Sequence, residues 1–130
     1  VGEDTFFLAQ CIKKASKIAS QESELYFYCH QDESVTQCSY FSGKLTEMTA
    51  WEKIVELYAD EPLVQKTAKA GYSKDAAFMQ EGYPQAKAGF YKWAGELMRA
   101  QFYEKRYCYL LKTIYSYFFW NTWVKRKQGE

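Results

Sequence analysis

The chain has 130 residues, a formal charge of +1 and an apolar fraction of 48%. That length buries a real core without a structural metal, so one domain over residues 1–130 is expected. Apolar and charged fractions are those of an ordinary soluble domain, and no internal repeat, low-complexity tract or linker divides the chain.

The first helix is expected to start at Asp4, an N-cap type. Phe7, Leu8, Cys11, Ile12, Ala15, Ile18 and Ala19 then form one apolar stripe, with Lys13, Lys14 and Lys17 away from it. Over Glu24 to His30, alternation fits a strand as well as a helix; no partner strand is evident, so a helix is expected. Asp32 caps a short helix with Val35, Cys38 and Phe41 on one face, and Gly43 stops it. Thr49-Ala50-Trp51-Glu52 reads as a capping box opening a helix that buries Trp51, Ile54, Val55 and Tyr58. Asp60-Glu61-Pro62 caps the next, with Leu63, Val64, Thr67 and Ala68 inward and Gly71 as its stop. Ser73 starts a further short helix through Phe78 and Met79, and Gly82-Tyr83-Pro84 breaks the chain.

From Pro84 to Lys127 an apolar or aromatic residue recurs every three or four positions, the period of one helix face. A single helix of that length spans about 65 Å, against a radius of about 14 Å for a domain of this size. A kink or break is therefore expected at Glu104-Lys105-Arg106, where the spacing slips. Phe90, Leu97, Leu110 and Ile114 are expected in the core. The fold class is all-α: a compact bundle of about five to seven helices with the C-terminal helix or helix pair at its centre, stapled by disulfides.

Four cysteines, no CxxC and a lone His30 beside Cys29 favour two disulfides over a metal site. The pairing expected is Cys29–Cys38, closing a short polar loop, and Cys11–Cys108, tying the first helix to the last. Four reduced cysteines in a cytosolic protein are the competing reading. The chain starts at Val1 without Met, which with the even cysteine count leads to the expectation of an exported protein, periplasmic or secreted.

Catalytic patterns are sparse. GxSxG, Walker, GxGxxG and HExxH motifs do not occur. Pairing of His30 with Cys11 or Cys108 would need distant residues, and the carboxylate pairs Glu52/Glu56 and Glu22/Glu24 read as solvated helix faces. No enzyme activity, cofactor or metal is expected.

Charge is uneven. Up to Tyr83 there are 8 Lys/Arg against 13 Asp/Glu, and from Pro84 onward 9 against 3. Aromatic and basic residues interleave at Tyr91-Lys92-Trp93, Tyr103 to Tyr107 and Trp123 to Lys127, a pattern single-stranded nucleic acid could use. Packing of the acidic helices against this basic segment is favoured instead. Residues 107–124 carry one charge, Lys112, but are too short and too polar for a transmembrane span; a buried bundle helix is expected, with a membrane-interface helix as the alternative.

In size, helical character and cysteine usage the chain resembles periplasmic immunity proteins, a resemblance that covers no specific motif. It implies a rigid module that neutralises a partner protein, such as a secreted enzyme or toxin. The expected partner-binding residues are Asp32 and Glu33, in the loop that Cys29–Cys38 would hold, with Tyr115, Trp123 and Arg126. A carrier of a small hydrophobic ligand, its cavity lined by aromatic helices, is the second reading.

Overall fold

The computed structural model describes residues 2–23, 45–79 and 84–127, and all regular structure among them is helical. Five helices follow in order: α1 (Glu3–Lys14), α2 (Leu45–Leu57), α3 (Pro62–Phe78), α4 (Pro84–Tyr103) and α5 (Tyr107–Lys127). That is the low end of the expected count. The expected helices over residues 24–30 and 32–43, with His30, Asp32, Glu33, Cys29 and Cys38, lie outside the described residues.

The packing begins with a glycine. Gly71 was expected to stop a helix, yet α3 runs through it to Phe78. A Cβ at Gly71 would meet the Trp51 indole at 2.8 Å, so the missing side chain is a notch for that ring. One turn on, Asp75 accepts a hydrogen bond from Trp51 Nε1. Residues i and i+4 share a helix face, so α3 holds both the apolar body and the polar edge of one tryptophan. Gly89 of α4 does the same for another contact: a Cβ there would collide with the Met48 Cε of α2 and approach Tyr72 of α3 at 3.1 Å.

These contacts join α2, α3 and α4 into a three-helix core in which α3 and α4 pack most extensively. One cluster holds Met48, Ala70, Tyr72, Ala76, Phe90, Ala94 and Leu97; another holds Ile54, Val55, Tyr58 and Ala68. Trp51 and Trp93 pack against both. Phe90 is wholly buried, and Ser73 beside it donates its hydroxyl to the Phe90 carbonyl at 3.2 Å. A polar link crosses the same three helices. Lys92 of α4 pairs with Glu52 of α2 at 2.7 Å, and its ammonium lies 5.5 Å from the ring centre of Tyr72 in α3. Glu52 is thus one half of an ion pair between α2 and α4.

The helix α1 lies along α2 with its other face inward. Phe6 and Ala9 pack on the second cluster, and Tyr58 donates its hydroxyl to the Ala9 carbonyl at 2.9 Å. Lys13, expected to point away, reaches the carbonyl of Leu57 at the end of α2 and pairs with Asp60. A cation satisfying a C-terminal carbonyl also complements the helix dipole. The stripe Phe7, Leu8, Ile12 is consequently exposed, and the helix stops at Lys14, before Ile18 and Ala19. Other boundaries also shift. The Thr49 capping box lies inside α2, which starts at Leu45, and Ser73 lies within α3. Leu63 and Thr67 face solvent rather than the core.

The expected Cys11–Cys108 bridge is absent: both thiols are free and exposed. The reason is geometric. Cys11 lies on the outward face of α1, which packs on α2, while Cys108 opens α5, which packs on α4.

Between α4 and α5 the chain breaks at the expected place, and the hydrogen bonds explain how. Arg106 N–H reaches back to the Gln101 carbonyl at 2.8 Å, and Lys105 N–H to the Phe102 carbonyl at 3.1 Å. This pair of bonds is a Schellman motif, with Lys105 at the left-handed position (φ 56°) where glycine is usual. The chain reverses, and α5 returns along α4 with Tyr91 donating its hydroxyl to the Tyr117 carbonyl at 2.7 Å. Further non-helical residues, Trp93 and Phe119, bend α4 and α5 internally. It is α4 that lies in the core. The helix α5 is a flank, and Leu110 and Ile114 are half-buried rather than core residues.

Two outcomes are expected. Lys105→Gly relieves the left-handed backbone and should stabilise the fold by about 1 kcal/mol in urea unfolding. Cys11 and Cys108 should both react with a maleimide in the folded protein, read by mass spectrometry without reductant.

Candidate functional site

The helix α5 has an inverted pattern. Its inward residues include Thr113 and Ser116, which are 8% and 2% exposed. Their hydroxyls are satisfied locally, donating to the carbonyls of Tyr109 at 3.0 Å and Lys112 at 2.8 Å. Its outward residues include Tyr107, Leu111, Phe118 and Phe119, with Leu111 67% and Phe118 70% exposed. Helical spacing puts Tyr107, Leu111 and Phe118 on one stripe, with Phe119 beside it at a non-helical residue. The stripe continues onto the end of α4: the Phe102 ring stands 6.2 Å from Tyr107 and 6.1 Å from Tyr103, both edge-on.

The small inward residues leave a second feature. A cleft of about 630 Å³ opens between α3, α4 and α5. Phe90, Leu97, Ala70 and Ala100 form apolar lining, and Trp51 with Asp75 lies on the α3 side. Lys74, Glu104, Arg106 and Lys112 are its charged residues at the surface. Arg106 pairs loosely with Glu104 at 3.6 Å, and both Arg106 and Lys112 lie over the Tyr109 ring. Also lining it is Gln101, whose Oε1 is buried and has no hydrogen-bond partner among the described residues.

Asp75 titrates abnormally. Burial disfavours its charge and raises its pKa, against the opposing effects of the Trp51 N–H and the Lys74 charge. On the α1 side, Asp60 moves the other way, lowered chiefly by its hydrogen bond from Lys13.

The expected partner-binding residues are not brought together among the described residues. Asp32 and Glu33 fall outside them, and Trp123 and Arg126 lie in the last turns of α5, where the backbone alone is described. Tyr115 is half-buried, its ring 5.2 Å from Phe119. Reading residues 107–124 as a buried helix missed the outward stripe. The signal was present: Thr113 and Ser116 fall opposite Leu111 and Phe118 on a helical wheel. Among the described residues no three His, Cys, Asp or Glu lie close enough to hold a metal ion, and no helix is long and apolar enough to cross a membrane. No known protein family, curated protein or solved structure matches this chain.

The Asp75 shift has a definite sign. The folded protein keeps a proton that the unfolded chain releases above its ordinary value of 3.8. The stability from this group is full below that value and is lost as pH rises through the raised one. Asp75→Asn keeps an acceptor for Trp51 and removes the decline. Between about pH 4 and pH 7, the ordinary carboxylate range and just above it, the thermal midpoint of the variant should gain on that of wild type. A constant difference across that range would show that Asp75 does not titrate in it.

Proposed function

We propose that the chain is a protein-binding module that acts without catalysis, and that its contact surface is the outward stripe of α5 with the adjoining end of α4. The observation that carries this is the exposure of Leu111 and Phe118, two turns apart on one helix face. Large apolar side chains gathered in one exposed patch mark interaction surfaces. Phe102, Tyr103 and Tyr107 extend the patch with aromatic rings, which give broad contact area at low entropic cost. Arg106 and Lys112, stacked over Tyr109, set cations beside it, so the fitting partner surface is apolar with an acidic margin.

An inhibitor of immunity type is one version of this function. The partner is then an enzyme or toxin, which is occluded rather than modified. The export this version entails rests on Cys29 and Cys38, since Cys11 and Cys108 are free thiols.

The test is affinity capture from the native source with the wild-type chain and with a Leu111→Ser/Phe118→Ser double variant. The helical circular dichroism should be unchanged, because neither side chain is in the core. A partner captured by wild type should be lost with the double variant and kept with Lys66→Ala on α3. Retention by the double variant would rule out this surface.

A further inference from the structure

The cleft behind α5 is separate from the outward stripe and has its own chemistry. Its apolar lining includes Phe90, Leu97 and Ala100, with Phe90 and Leu97 drawn from the main core cluster. A volume of about 630 Å³ lies within the range of small-molecule pockets. An apolar wall alone would accept any greasy molecule. Two polar features narrow the choice.

The first is Gln101 Oε1. A buried side-chain acceptor without a partner is costly, because the oxygen has lost water and gained nothing. This oxygen belongs to a residue that lines the cleft. A ligand N–H or O–H placed there recovers the lost hydrogen bond. The second is the surface charge. Lys74, Arg106 and Lys112 face the opening, against Glu104 and Asp75. Glu104 and Arg106 pair with each other at 3.6 Å, which leaves Lys74 and Lys112 as cations against the partly buried Asp75. The balance at the mouth attracts an anion.

We infer that this cleft binds a small amphipathic acid: an apolar chain or ring against Leu97 and Ala100, a neutral hydrogen-bond donor on Gln101 Oε1, and a carboxylate toward Lys74, Arg106 and Lys112. An N-acyl amino acid carries all three groups in one molecule. Its acyl chain fills the apolar wall, its amide N–H is the donor, and its carboxylate meets the cations.

Three soluble probes of equal chain length separate the contributions: N-octanoylglycine, octanoate and octylamine, each titrated calorimetrically into the full chain. N-octanoylglycine should bind one-to-one. It should bind about tenfold more tightly than octanoate, the worth of one recovered buried hydrogen bond, and more tightly still than octylamine. Gln101→Leu should bring N-octanoylglycine down to the affinity of octanoate. Lys112→Glu, on an exposed position that does not threaten folding, should weaken both acids about fivefold or more and leave octylamine unweakened. Equal binding of the three probes would mean unselective apolar adsorption and overturn the inference. So would the absence of saturable binding, or Gln101→Leu and Lys112→Glu variants that bind N-octanoylglycine like wild type. The cleft shares Arg106 and Lys112 with the margin of the protein-binding surface, but none of these readouts depends on Leu111 or Phe118, so failure of one proposal is distinguishable from failure of the other.

Discussion

The fold depends on how one tryptophan is seated. Trp51 lies where α2 meets α3, and it packs against both core clusters. Its ring needs a backbone that approaches without a side chain, and Gly71 supplies one. A glycine in mid-helix costs about 1 kcal/mol relative to alanine. The indole packed on it offsets that cost, because large aromatic side chains dominate burial energetics. Asp75 completes the seat by accepting the indole N–H, which would otherwise lack a partner in a half-buried place. The same carboxylate is disfavoured as an anion because its place between the helices is partly buried; the Trp51 N–H offsets only part of that cost.

The position of α5 follows from a different constraint. A helix that packs with its apolar side inward brings large residues to its neighbours. Here Thr113 and Ser116 point in, and they bond to their own helix rather than across to α4. Contact with α4 is therefore made near the ends of the hairpin: Tyr91 on Tyr117 at one end and the Schellman turn at the other. Between them the space is not filled, and the cleft results. The two candidate sites thus have one origin. Small polar residues on the inner face leave a cavity, and the large apolar residues they displace stand on the outer face.

The high aromatic content has a use beyond core volume. Lys13 lies over Tyr58, Lys53 over Phe6, Lys92 over Trp93 and Lys112 over Tyr109. Each ring offers a negative face to an ammonium while its edge packs elsewhere, and the lysine stem covers apolar surface. A chain with nearly balanced charges and many aromatics can place its cations over rings in addition to pairing them with carboxylates. Lys13 does both, lying over Tyr58 while it pairs with Asp60.

The sequence by itself determined the helical class, the start of α4 at Pro84 and the break before Tyr107. These are local: proline fixes its own backbone, and a slip in the apolar period at Glu104-Lys105-Arg106 cannot be continued as one face. It also placed Phe90 and Leu97 in the core, because their spacing coincides with buried neighbours on both sides. Only the tertiary structure decided which face of α1 is buried. Phe7, Leu8 and Ile12 make the more apolar stripe, yet Phe6, Ala9 and Lys13 are used, since the Leu57 carbonyl at the end of α2 and the Tyr58 hydroxyl just after it select that side. The same holds for Gly71, which reads as a helix stop until Trp51 is seen against it, and for Cys11 and Cys108, whose separation depends on which helices their own helices pack upon. Local propensity fixes where a helix begins and ends; the partner across the interface fixes what each of its faces is for.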